Sequence, residues 1–185
     1  MGKGPSNRWL RTGTCLLAWL MLPLAPMHAR ADDPCAAFSW DVRHERELFS
    51  KEPIDLASGK TAADAPALLA DRLYELELRA QPEVHFVAPP SRSWPAEATY
   101  AGLARFTVET AGVYRFALDQ AAWVDVVTGG IVQSMRGAQG RPGCSTPQKI
   151  VEFSLPAGKP LMLEFSASVT PSLKVTVSRS PVQSP

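Results

Sequence analysis

From Leu73 onward the chain alternates apolar and polar residues with a period of two. Tyr74, Leu76 and Leu78 interleave with Glu75, Glu77 and Arg79, which gives one oily face and one wet face. The same signature returns in Val84–Val87, Leu103–Val108, Val113–Leu118, Trp123–Val127, Ile131–Met135, Ile150–Leu155, Leu161–Phe165 and Leu173–Val177, with Gly, Pro and Ser residues between the runs. Short strands at a spacing of roughly ten residues predict an all-β protein, an antiparallel β-sandwich or jelly roll. No long helical period lies between them, which disfavours a parallel α/β sheet. Thr110-Ala111-Gly112 reads as the turn of a hairpin joining 103–108 to 113–118. Pro156-Ala157-Gly158 returns 150–155 as 161–165, and Gly129-Gly130 turns 123–127 into 131–135.

Ahead of the strands, Ser39–Ser50 reads as a short N-terminal helix with Ser39 as its cap. Asp41, Glu45 and Glu47 interleave there with Arg43 and Arg46. That mixture predicts a solvated, ion-paired face rather than an acid/base pair or a cation site. Residues 51–71 read as an irregular connection, with a helical turn over Ala65–Ala70. Residues 88–98 and 136–147, rich in Pro and Gly, read as loops.

The first thirty-one residues read as a secretory leader. Lys3, Arg8 and Arg11 precede the apolar run Cys15–Leu24, and Ala29-Arg30-Ala31 supplies a small-x-small cleavage pattern. The run is about half the ~20 residues that cross a bilayer as a helix, so no stable membrane span is expected after cleavage. Cleavage after Ala31 removes 31 of 185 residues and four of the 19 Lys and Arg. The remaining 154 residues carry 15 basic and 18 acidic side chains, a net charge of −3. There is no basic stripe, which argues against nucleic acid as a partner. The expected organisation is a leader over 1–31, a helix and connection over 32–72, and a β-sandwich over 73–185 forming a single domain with 32–72. The expected location is the periplasm or outside the cell. Cys35 and Cys144 remain after cleavage, and in an oxidising compartment two thiols most simply pair; two free thiols are the alternative. A bridge closing about 110 residues contributes on the order of 4–5 kcal/mol in the chain-entropy description.

No nucleophile elbow, phosphate loop, zinc spacing or calcium loop occurs. The candidate ligand residues are Trp94, in the Pro-rich loop, and the pair Trp123 and Asp125. If Val124 and Val126 face the core, Trp123 and Asp125 face outward together and suit a sugar or another small polar ligand. The plainer alternatives are Trp94 as a loop anchor and Trp123 as a core residue.

Phe106–Phe116, a strand followed by Ala-Gly and an aromatic strand, and Phe153–Leu163, which repeats that logic, resemble the secreted β-sandwich accessory domains of the bacterial pre-peptidase C-terminal type. The resemblance covers about residues 100–179 and implies a non-catalytic jelly-roll module. The pattern from Cys35-Ala36-Ala37-Phe38-Ser39-Trp40-Asp41-Val42 to Gly143-Cys144 is similar to a family of small exported bacterial proteins, some labelled homogentisate 1,2-dioxygenase. That label implies a cupin-like β-fold with iron held by two histidines and a glutamate. The mature chain has only His44 and His85, and Glu83, two residues from His85 on the same face of the expected strand 84–87, is the matching carboxylate. The main expectation is therefore a non-catalytic binding or structural module of the cell envelope, without a cofactor, its partner a small polar ligand or an envelope protein. The alternative is an iron-dependent dioxygenase.

Overall fold

The alternating segments build two packed sheets. The computed structural model describes residues 1, 2, 4, 33–95, 98–144 and 146–181. The expected leader, apart from Met1, Gly2 and Gly4, and its cleavage site lie outside the described residues. Asp32–Pro185 forms one compact unit. Its strands are β1 Ile54–Ala57, β2 Ala67–Leu68, β3 Leu73–Glu77, β4 Arg79–Ala80, β5 Tyr100–Thr107, β6 Gly112–Leu118, β7 Trp123–Thr128, β8 Ile131–Val132, β9 Met135–Gly140, β10 Lys149–Leu155, β11 Pro160–Ser168 and β12 Ser172–Arg179. A short α-helix, α1 Arg43–Phe49, precedes them. The first sheet runs β1-β3-β12-β6-β10-β9; the second runs β2-β5-β11-β7-β8, with β4 also paired to β5. The fold is the expected all-β sandwich. No described helix is long and apolar enough to cross a membrane.

Each sheet contributes one alternating set to the core. Tyr74, Leu76, Phe116, Phe153, Val175 and Val177 come from the first sheet; Ala104, Phe106, Val124, Val126, Leu163 and Phe165 come from the second. Phe106 meets Tyr114 and Phe116 edge-on, at 5.6 and 6.3 Å between ring centres, so these residues face each other across the core.

That geometry overturns the hairpin expected at Thr110–Gly112. β5 pairs with β11, whereas β6 pairs with β10 and β12. The turn carries the chain from one sheet to the other, and Pro156–Gly158 does the same between β10 and β11. A period of two says which face is buried and nothing about which strand lies alongside. Gly129 and Gly130 do make a hairpin between β7 and β8; their φ values of +57° and +79° are the left-handed pair that a tight primed turn requires.

Four further expectations are corrected. Residues 51–71 are not merely a connection, because β1 pairs parallel with β3, and the expected helical turn at 65–70 contains β2, parallel to β5. Residues 136–140 leave the expected loop 136–147 and join Met135 in the edge strand β9. The expected strand 84–87 makes no ladder: His85 N–H donates to the Lys60 carbonyl and Val87 N–H to a side chain. Ser39 does not cap the helix. Its amide and hydroxyl bond Gln139 instead, and α1 starts at Arg43.

Both outer faces of the sandwich are covered. Phe38, Trp40, Val42 and Phe49 pack on Ala117 and Ile150 of the first sheet. Cys35 bonds to Cys144, with Cα atoms 5.1 Å apart, and fastens this N-terminal cover. Beneath it Arg115, 1% exposed, meets three carboxyl or carbonyl groups. Its Nε donates to Glu152 Oε1 at 2.8 Å, its Nη1 donates to the Asp41 carbonyl at 2.6 Å, and Glu45 Oε1 lies 3.5 Å from Nη1. Glu45 also accepts from the Ser178 hydroxyl at 2.9 Å. Glu45 is thus not on a solvated face: it and Leu48 point from α1 onto the sheet, while Asp41 stays exposed and pairs with Arg43. The Arg43 guanidinium and amide hold the Asp41 carboxyl down at about 2.

Candidate functional site

The outer face of the second sheet carries two carboxylates side by side. In β7 the core takes Val124 and Val126, which turns Trp123 and Asp125 to the opposite face. In β11 Leu163 and Phe165 enter the core, which turns Glu164 outward with Met162. The strand register sets Asp125 directly opposite Glu164. Like charges facing across a ladder destabilise a sheet unless something else engages them.

Residues 84–91 do so by lying across the face as a strap. Glu164 Oε1 accepts the Val87 amide at 2.6 Å and the Ala88 amide at 3.2 Å. Asp125 Oδ2 accepts the Ser91 amide at 3.0 Å, and its Oδ1 accepts the Ser91 hydroxyl and, at 3.2 Å, the Trp123 indole. Under this cover Asp125 is 4% and Glu164 1% exposed. Glu164 Oε2 is buried with no hydrogen-bond partner among the described residues. Burial pushes the Glu164 carboxyl above its ordinary value; the strap amides oppose that, and the charge of Asp125 adds to it.

Past the strap the chain presents Arg92 and Trp94. The Arg92 guanidinium lies 4.5 Å from the centre of the Trp94 ring and 5.5 Å from that of Trp123. Lys149, at the start of β10 in the other sheet, places its ammonium 4.8 Å from the Trp123 ring and donates to the Ala122 carbonyl at 2.6 Å. Burial, with the Arg92 charge adding to it and Asp125 partly opposing, brings the Lys149 ammonium down to about 8. The result is a stack of indoles and cations at one end of the sandwich, with Trp94 39% exposed and Trp123 half-buried.

Of the residues nominated from sequence, Trp94 and Trp123 come together through Arg92. Asp125 lies beneath them, and its oxygens hold the strap and the indole rather than facing solvent. Trp123 is neither a core residue nor fully open. Sequence reasoning missed Ser91, Arg92, Lys149 and Glu164. A signal existed for Glu164, since a charge between Leu163 and Phe165 in a long strand must either face water or be covered. Arg92 and Lys149 act through loop packing that no local pattern encodes.

The iron set does not assemble. His44 Nε2 lies 2.7 Å from Asp71 Oδ1, and Glu83 Oε2 accepts from Lys60 Nζ at 2.7 Å, which holds its carboxyl below the usual range. His85 is exposed within the strap. Among the described residues no group of three or more His, Cys, Asp or Glu side chains is placed to hold a metal ion, so His44, His85 and Glu83 do not fit an iron site. The Ser91 hydroxyl is engaged by the Asp125 carboxylate.

No family model, no curated protein and no solved structure matches the chain.

Proposed function

We propose that this protein is an exported, non-catalytic β-sandwich module of the cell envelope that binds a polar ligand, a saccharide, on the platform formed by Trp94, Arg92 and Trp123. The observation that carries the reading is an indole left open at the surface with a guanidinium 4.5 Å from its ring centre. Ser91, one residue from Arg92, is bonded through both amide and hydroxyl to a buried carboxylate. Presenting an aromatic at low conformational cost is what a flat, weakly polar ring needs from its receptor. The basic and apolar leader sequence and the Cys35–Cys144 bridge support the oxidising, exported location. The likeness of residues 100–179 to secreted accessory domains supports a module that binds rather than reacts.

The test is Trp94→Ala, assayed by affinity electrophoresis through gels containing soluble polysaccharides. The wild-type protein should be retarded by at least one of them. The variant should migrate freely with an unchanged melting temperature, because a 39% exposed indole contributes little to the core. Retardation of the variant equal to wild type overturns the platform.

A further inference from the structure

Two cations share one indole in this stack. Arg92 and Lys149 both sit over the Trp123 ring, at 5.5 and 4.8 Å from its centre. Neither makes an ion pair among the described residues. Asp125, the carboxylate that acts on Lys149, spends its oxygens on Ser91 and Trp123. Glu164, behind it, is turned to the strap amides. Two like charges that share one indole, Lys149 half-buried and Arg92 exposed, are an arrangement that an anion relieves twice over, by pairing with both and by offsetting their repulsion. Lys149 also lines a hollow of about 180 Å³ with Ala121, Gln139, Arg141 and Gln148, so the charged end of the platform continues into a recess. The pull is local. Residues 32–185 carry 15 basic against 18 acidic side chains, so the unit as a whole repels polyanions.

We propose that the ligand of this platform is an acidic glycan, whose oxyanion is held by the Arg92 guanidinium and the Lys149 ammonium while a sugar ring meets Trp94. The inference rests on the platform reading and adds the charge of the ligand. A ring carboxylate and a ring sulfate share this chemistry, and separate probes distinguish them.

The full chain is titrated with polygalacturonate, dextran sulfate and neutral dextran at low salt. At least one acidic polymer should bind at least tenfold more tightly than dextran. Polygalacturonate as the tighter ligand assigns a carboxylate, dextran sulfate a sulfate. Arg92→Gln and Lys149→Gln should each weaken acidic binding about fivefold, the upper range for one partly exposed charge pair. Lys149→Arg should restore it. Raising the pH from 7 through about 8 and beyond should weaken wild-type binding as Lys149 loses its proton, while Lys149→Arg stays flat. The charged groups that act on Lys149 are Arg92 and Asp125. Equal binding of dextran and the acidic polymers, all lost in Trp94→Ala, overturns the charge inference and leaves the platform standing. Acidic binding that Trp94→Ala does not weaken overturns the platform and this inference together. Absence of binding to all three polymers overturns the inference.

Discussion

Arg115→Met is the substitution with the most to say about how the N-terminal cover is held. Arg115 and Glu45 are each 1% exposed, and Glu152 is 13% exposed at its side chain. Removing the guanidinium leaves Glu45 without a cation while its Oε2 already lacks a hydrogen-bond partner among the described residues. The Asp41 carbonyl also loses its 2.6 Å donor. Breaking a buried pair from one side costs about 3–5 kcal/mol. For a unit of this size that lowers the melting temperature by about 6–20 °C. The double variant Arg115→Met/Glu45→Leu removes the stranded charge as well, and apolar replacement of a whole buried pair is near neutral. Glu152 then keeps the Ser180 hydroxyl at 3.1 Å and contact with water. The double variant should therefore recover at least half of the loss, about 1.5–2.5 kcal/mol, against a typical additivity error of about 0.5. Urea denaturation of the oxidised wild type, both single variants and the double variant, with unchanged m-values, measures all four. A single variant within about 1 kcal/mol of wild type, or a double variant as unstable as the sum of its parts, refutes the account.

Three other predictions follow from separate parts of the fold. Cys35→Ser/Cys144→Ser, which frees a bridge of 109 residues' separation, should lower stability by up to about 4–5 kcal/mol, and calorimetry with and without reductant checks that the wild type falls to the same level. Glu164 has a folded-state value raised above its unfolded one, so ionisation on raising the pH withdraws stability; Glu164→Gln should melt above wild type at pH 7–8, the gain should vanish near the ordinary carboxyl range of about 4, and a pH-independent difference between the two would contradict the assignment. A Cβ at Gly102 would lie 2.5 Å from the Ser58 Cβ, so Gly102→Ala should cost about 1–3 kcal/mol and Gly102→Ala/Ser58→Gly should regain much of it by thermal melting.

The faces of the strands were legible and their neighbours were not. Val124 and Val126 declare an inner face by themselves, and so do Leu173, Val175 and Val177, because burial of alternate residues is a local property. Pairing is set by what lies across the core and at the far end of the chain. The same alternation therefore serves equally for a hairpin and for a crossing between sheets, and Thr110–Gly112 crosses. Short edge strands such as β1, exposed at three of its four positions, carry almost no apolar signal at all. At the site, the exposed aromatic in a Pro-rich loop could be picked out, as could the outward pair Trp123 and Asp125. The strap could not, because Pro82 and Pro89-Pro90 bracket a segment whose amides bond side chains rather than a neighbouring strand. Glu45 read as solvated because its neighbours are charged; only the tilt of α1 against Arg115 makes it a buried partner.

The pairing of β3 with β12 has a bearing on when this molecule can take shape. Leu76 meets Leu173, and Tyr74 meets Val175, each about 100 residues apart along the polypeptide. During synthesis the early half of the first layer waits for the final strand, since β3 otherwise touches only the four-residue β1. Assembly of the first layer thus waits for β12, and its speed is governed by long-distance encounters rather than by neighbouring turns. A polypeptide that stays open until β12 arrives also stays threadable until then.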